Sequence, residues 1–263
     1  MKYSHSLVVA AVERPREGYV LLKLRLPAEV SLSDIEPGQF VELLAPRAPH
    51  TFLRRPISVN FVDHADRTLW LLIHEVGEGT RAFSALSPGE KLDCVYALGN
   101  GFPIDLPEAE SYLLVGGGVG TAPLLYYGSL LHAQGRKVTF LLGGRRSVDL
   151  MQLDDFGRYG RVCLTTEDGS TGERGFVTAH SVWATEHFDV VATCGPKPMM
   201  MAVAAKAAEV DIDSCYASLE NLMACGLGAC LCCVEKNADG HNVCVCKEGP
   251  VFNVRQLSWQ SYK

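Results

Sequence analysis

Six of the ten cysteines fall between positions 225 and 246. Cys225, Cys230 and Cys233 follow the spacing C-x4-C-x2-C, and Cys246 comes after twelve intervening residues. Thiolates in this plant-type pattern hold a 2Fe–2S cluster. Gly226 and Gly228 let the loop bend tightly and bring backbone N–H groups toward the sulfides, where hydrogen bonds help to set the potential. The competing chemistry is a structural four-cysteine zinc site. Zinc knuckles usually pair two short C-x2–4-C units, however, and only 230–233 makes one here. Cys232 lies between two ligands and is expected to point away. If "NVCVCK" is a strand, Cys244 and Cys246 share a face, so spacing alone leaves the fourth ligand open between them.

Two further constellations suit nucleotides. In "FLRRPISV", Arg55 offers a forked cation for a pyrophosphate, and Ser58 sits three residues on, where a strand places its hydroxyl near a ring system. In "VGEGTRAF", Gly79 and Thr80 open a short helix whose N–H groups bind phosphate. The stretch "LLVGGGVGTAPLL" reads as strand, glycine turn and helix. Gly116, Gly117, Gly118 and Gly120 admit a pyrophosphate to the positive end of a helix that starts near Thr121. In "TCGPKPMM", Cys194 ends a strand and Gly195 breaks it, which puts Cys194 at the carboxyl edge of the sheet, where ligands bind. Each signal has an ordinary reading as well: solvated arginines, a capped helix or a core thiol. Arg145, at the end of the next strand, leaves NAD and NADP both open.

These residues need scaffolds. Short strands at 19–26, 39–45, 54–62, 68–76 and 87–99, separated by Pro, Gly and Asp turns, predict a small antiparallel barrel. From about residue 108 the pattern becomes apolar strands (137–144, 161–168, 188–195) alternating with helices such as 196–210, which predicts a parallel sheet in an α/β domain. The expected division is a barrel over 1–104, a nucleotide domain over 105–212 and a cysteine module over 213–263. At 263 residues and 48% hydrophobic composition the chain can fill two modest cores. A net charge of −6 argues against nucleic acid as the main partner. No apolar run reaches the roughly 18 residues of a membrane span and the N-terminus is not a signal peptide, so a cytoplasmic protein is expected. Disulfides are not expected in that compartment. Cys94, Cys163, Cys194 and Cys215 then read as small buried hydrophobes.

Taken in order, "RRPIS", "GEGT", "GGGVGTAPL", "CGPKPMM" and "MACGLGACLCCV…VCKEGPVF" resemble the ferredoxin–NADP reductase superfamily. Over essentially the whole chain they are most similar to the electron-transfer subunits of type B dihydroorotate dehydrogenases. The resemblance implies FAD on the barrel, held by Arg55, Pro56, Ile57, Ser58, Leu72, Ile73, His74, Gly79 and Thr80. It implies NAD as the nucleotide at the site already read from Gly116, Gly117, Gly118, Gly120, Thr121, Cys194 and Gly195. It implies a 2Fe–2S cluster on Cys225, Cys230, Cys233 and Cys246, the last through "C-x-x-G-P-V-F". Ser58 near flavin N5 and Cys194 near the nicotinamide are orienting residues, and Glu220 is either a flavin neighbour or an exposed helix-end carboxylate. The implied partner is an FMN-containing catalytic subunit that oxidises dihydroorotate to orotate for pyrimidine biosynthesis, in a heterotetramer of two plus two. Electrons then pass through the cluster and FAD to NAD+. Phe252, Leu257 and Trp259 are candidates for the docking surface, although core packing is the commoner fate of such residues. The alternatives are a reductase subunit feeding an oxygenase, ferredoxin or hydrogenase, and a zinc-stapled nucleotide-binding regulator.

Overall fold

The computed structural model describes residues 1–259. Positions 260–263 of the expected cysteine module lie outside the described residues. The first part of the chain forms β1 (Tyr3–Arg16), β2 (Tyr19–Arg25), β3 (Phe40–Leu43), β4 (Arg55–Ser58), β5 (Phe61–Asp63), β6 (Thr68–His74), the short helix α1 (Glu78–Ser84) and β7 (Lys91–Leu98). Its seven strands make one curled antiparallel sheet, a half-barrel, in the order β4-β3-β7-β1-β2-β6-β5. Alternation sets the inside: Val20, Leu22 and Leu24 of β2 pack with Val41 and Leu43 of β3 and with Leu69, Leu71 and Ile73 of β6.

The sequence pattern does not announce β1. It is the longest strand, but register shifts between Val9 and Ala11 and between Glu13 and Arg16 interrupt its pairing with β2, and such bulges blur a period of two. The stretch 54–62 predicts one strand and forms two. Asn60 falls in the gap, where its amide nitrogen donates to the Ala122 carbonyl at 3.0 Å and to the Gln152 side chain at 3.1 Å.

The second sheet is built from β8 (Ser111–Gly117), α2 (Ala122–Ala133), β9 (Lys137–Gly144), α3 (Leu153–Gly157), β10 (Arg161–Thr166), β11 (Glu173–Arg174), α4 (Val182–Thr185), β12 (Val190–Cys194), α5 (Lys197–Glu209) and β13 (Ser214–Ser218). These six strands run parallel. The cysteine segment follows, with β14 (Val234–Lys236), β15 (Asn242–Cys244) and the single helical turn α6 (Val245–Glu248), before β16 (Val251–Asn253) pairs antiparallel with β13. The cysteines therefore sit in an excursion between two neighbouring strands of the second sheet. The order β11-β10-β9-β8-β12-β13-β16 reverses direction between β8 and β12, and open α/β sheets bind ligands at the carboxyl ends of the strands at such a point.

Helix α2 joins the two sheets. Nine of its twelve residues are buried, the pattern of a helix covered all round rather than on one stripe. Tyr126 enters the half-barrel core and donates to the Ile35 carbonyl at 3.2 Å, while Tyr127 enters the second core and donates to the Pro103 carbonyl at 2.8 Å. A separate core joins Phe40 and Leu98 of the half-barrel to Met223, Cys233, Cys246, Phe252, Leu257 and Trp259. Phe252, Leu257 and Trp259 are thus core residues, the commoner of the two fates open to them, and not part of a docking surface.

Helix α2 can lie so near β9 only because position 128 is glycine. A Cβ there would sit 2.2 Å from the Phe140 ring. Gly128→Ala is expected to cost about 1–3 kcal/mol by overpacking, which lowers the melting temperature by roughly 5 °C in a thermal scan of the purified chain.

Candidate functional site

A cleft of about 320 Å³ lies where the half-barrel, the second sheet and the cysteine segment meet. It brings together Pro56, Ile57 and Ser58 of β4, Leu72, Ile73 and His74 of β6, and Thr80 of α1. Val119 and Ala122 join it from the glycine turn and the start of α2. Leu219, Glu220, Asn221, Met223 and Pro250 join it from the two flanks of the cysteine segment. Val119, Met223 and Pro250 were not expected as walls, and their only signal in the sequence is adjacency to a motif.

The cleft has the polarity that a flavin dinucleotide requires. Apolar strand surface offers a wall for a flat ring. Arg55 does not line the cleft itself, but a Cβ on Gly79 would lie 3.0 Å from its Nε, so the guanidinium and the first turn of α1 form one cationic corner. Thr80 Oγ1 accepts the N–H groups of Val76 and Gly77, both at 3.0 Å, and so caps α1 and shapes that corner. His74 stacks on Tyr19 with ring centroids 4.4 Å apart and 3° between the planes, which fixes the ring at the rim.

The glycine turn meets the end of β12 at the reversal point. A Cβ on Gly120 would lie 2.5 Å from Gly195 Cα and 2.6 Å from the Cys194 carbonyl oxygen. Gly118 has φ of +57°, and Thr121 Oγ1 donates to its carbonyl at 3.0 Å. Gly116 and Gly117 end β8 beside this turn, with Met199 of α5 packed so closely that a Cβ on Gly117 would strike its sulfur at 2.5 Å. The edge therefore offers backbone surface free of side chains, as a dinucleotide pyrophosphate needs. Burial holds the Cys194 thiol well above its ordinary pKa. The Glu220 carboxylate adds to this, while the Ser218 hydroxyl and the Gly195 N–H oppose it. Cys194 is thus a neutral thiol. Glu220 is exposed, but not at a helix end: it follows β13, which stops at Ser218, and it lines the cleft, where the surrounding protein raises its pKa by desolvation.

In the cysteine loop, backbone N–H groups converge on sulfur. Cys225 Sγ accepts from Leu227 at 3.4 Å and Ala229 at 3.3 Å, Cys246 Sγ from Gly228 at 3.1 Å, and Cys233 Sγ from Cys246 at 3.3 Å. Burial opposes ionisation of Cys225, but the N–H groups of Leu227, Cys230 and Ala229 and the Cys230 thiol outweigh it and lower its pKa to about 6. Burial first, then its bond with Cys233, pushes Cys246 up to about 12. Among the described residues no three ligating side chains converge on a single point. The thiols lie as two neighbouring pairs, Cys225 with Cys230 and Cys233 with Cys246. Two pairs suit a two-iron cluster, which takes two protein ligands on each iron. A Cβ on Gly226 or Gly228 would collide at 2.8 Å with Glu42 or Lys247, so the glycines are required for the loop to seat.

Strand β15 ends at Cys244 and α6 begins at Val245, so Cys244 and Cys246 do not share a strand face. Cys246 turns inward beside Cys233, whereas Cys232 is exposed. Leu222, Leu227 and Leu231 are exposed on this same segment.

Residues 220–258 match the iron–sulfur cluster binding domain of dihydroorotate dehydrogenase B. The chain is 41% identical over 230 residues to the dihydroorotate dehydrogenase B (NAD(+)) electron transfer subunit of Listeria monocytogenes, covering 86% of this chain and 89% of that protein. The subunit of the same name from Shouchella clausii is 35% identical over 260 residues, covering 97% and 98%. Among solved structures, a chain of an NADH-dependent reduced ferredoxin–NADP oxidoreductase superposes with a TM-score of 0.85 at 26% identity, covering 97% of this chain and 91% of that one. An Amycolatopsis cytochrome P450 reductase shares the fold, with a TM-score of 0.69 at 23% identity over 80% of this chain and 67% of its own. With such identity along nearly its whole length, the chain belongs to the family of NAD+-dependent dihydroorotate dehydrogenase B electron-transfer subunits.

Proposed function

We propose that this chain is the nicotinamide-facing component of a two-part dihydroorotate dehydrogenase, carrying electrons taken from dihydroorotate on a catalytic partner to NAD+. One observation carries the reading: a single cleft is walled by the half-barrel, the glycine turn and both flanks of the cysteine loop. Three sites that must exchange electrons are thereby brought to one place. The partner holds FMN, the assembly is two plus two, and it works in the cytoplasm. Residues 1–104 bind FAD, 105–212 bind NAD and 213–263 hold the cluster.

Bound here, FAD links the single electrons of a 2Fe–2S cluster to hydride exchange with NAD+. The chain's own residues position and insulate. Arg55, Gly79 and Thr80 hold the flavin pyrophosphate, and Pro56, Ile57, Leu72, Ile73 and His74 frame the ring. Ser58 orients the reacting edge by hydrogen bonding. Gly116, Gly117, Gly118, Gly120 and Thr121 admit the NAD pyrophosphate. Cys194 and Gly195 border the nicotinamide, and the neutral thiol of Cys194 packs there without attacking it, because the thiolate is the nucleophilic form. Cys225, Cys230, Cys233 and Cys246 are the cluster ligands. Leu222, Leu227 and Leu231 form an apolar rim for the partner.

Anaerobic titration of the purified chain with NADH is expected to bleach a flavin and an iron–sulfur absorbance together. A colourless protein, or flavin bleaching alone, refutes the reading. Cys225→Ser is expected to lose the cluster and keep the flavin, read as iron and flavin per chain. In the iron-free protein, iodoacetamide at neutral pH should label Cys225 and the exposed Cys230 and Cys232 well before Cys94, Cys194 and Cys215, by mass spectrometry. After iron loading only Cys232 of these three stays reactive. Leu227→Glu is expected to weaken association with the catalytic partner at least about tenfold, or ~1.4 kcal/mol, in a binding titration, with the cluster spectrum unchanged.

A further inference from the structure

Glu42 is the least accommodated polar side chain near the site. It lies in the middle of β3, paired with Pro56 of β4 on one side and Val95 of β7 on the other, and is 1% exposed. Neither carboxyl oxygen has a hydrogen-bond partner among the described residues. Period-two alternation sends Val41 and Leu43 into the half-barrel core and Phe40 and Glu42 to the opposite face. In most half-exposed sheets that face is wet. Here the cysteine segment covers it. A Cβ on Gly226, next in the chain to Cys225, would lie 2.8 Å from Glu42 Cγ and 3.1 Å from its Oε1. Two residues away on the same face, Phe40 lines the cleft. Glu42 thus stands between the flavin cleft and the cysteine loop, although it lies about 180 positions from that loop in the chain.

A buried carboxyl without partners costs free energy, and nothing in its surroundings relieves it directly. The guanidinium of Arg54 is engaged by the Asp93 carbonyl at 3.0 Å and the Asp93 carboxylate at 3.1 Å. Arg55 is turned toward Gly79. Burial pushes the Glu42 carboxyl up to about 7, with Arg54 and Arg55 pulling it back and Cys225 pushing it further. A glutamine would fill the same space without the charge. Such an unrelieved acid marks a candidate functional position.

We propose that Glu42 is a positioning residue for the cysteine loop whose carboxylate lowers the reduction potential of the group held there. The inference rests on the cluster assignment above. A fixed negative charge in a low-dielectric interface opposes the arrival of an electron nearby. Burial, charge and hydrogen bonding around the sulfurs are the means by which a protein sets a cluster's potential. The charge therefore favours passage of electrons off the cluster and onward to the flavin.

The test uses the full chain loaded with iron, sulfide and FAD, in wild-type, Glu42→Gln and Glu42→Asp forms. The midpoint of the cluster is read by electron paramagnetic resonance at alkaline pH, where the carboxylate is ionised, with iron and flavin content measured alongside. Glu42→Gln should shift the cluster's reduction equilibrium at least about tenfold toward the reduced form, which is about 59 mV for one electron. Glu42→Asp, which keeps the charge, should recover most of that shift. Loss of the cluster from the glutamine form alone also supports the proposal, since the charge is then what seats the loop. Equal midpoints in wild type and Glu42→Gln overturn it, as does an aspartate form displaced as far as the glutamine form. Loss of the cluster from both variants overturns it too, leaving Glu42 a packing residue. A wild-type chain with no cluster signal refutes the underlying cluster assignment, which separates that failure from failure of the inference about Glu42.

Discussion

Close backbone approach is the constraint on which the rest of the structure depends. Electrons cross short gaps, so a flavin, a nicotinamide and a thiolate-bound metal site must be gathered with little protein between them. At each junction a side chain has been removed. Gly120 lies against Gly195 and the Cys194 carbonyl, Gly79 against Arg55, and Gly226 against Glu42. A methyl group at any of the three would press its neighbour at 3.0 Å or less, closer than nearly all real packing. The glycines are conformational aids at some of these places, since Gly118, Gly195, Gly226 and Gly228 have positive φ, but their larger effect is on thickness.

That thinness is held by parts that are thick and dry. Helix α2 is buried on almost every side and sends one tyrosine into each main core. The glycine turn at its start is therefore registered against both sheets at once. On the other side, Phe252, Leu257 and Trp259 pack with Cys233 and Cys246, so the inner cysteine pair belongs to a core while the outer pair lies nearer the surface. Dispersion and burial in that core keep the inner thiols in place, and the N–H groups of the loop then organise the outer ones.

What could be read from the sequence was local. The cysteine spacing, the glycine turn and the strand-ending Cys194 are written within a dozen residues each, and their chemistry is carried by residue type. The parallel strands were visible because strands buried on both faces read as unbroken apolar runs. Features made by distant parts of the chain were hidden. The β1 strand has charged residues and bulges where its partner leaves it. The fate of Cys244 and Cys246 turns on where β15 stops. Phe252, Leu257 and Trp259 look alike whether they cover a core or a partner. Glu42 alternates with apolar neighbours as any solvent-facing strand residue would, and only the cysteine segment folding back over β3 makes it a buried acid.

The same covering explains why the cysteine loop is apolar where it faces outward. A loop thin enough to pass electrons cannot carry its own second layer of side chains. Leu222, Leu227 and Leu231 are left exposed around Cys230 and Cys232, an arrangement that water stabilises poorly. A partner surface that covers these leucines removes apolar area from water and, in the same act, excludes water from the thiolates. Excluding water lowers the local dielectric, which strengthens the influence of every fixed charge nearby. On the proposed reading, docking and redox tuning are one physical event: a partner that covers these leucines also strengthens the effect of every charge fixed beside the cysteine loop.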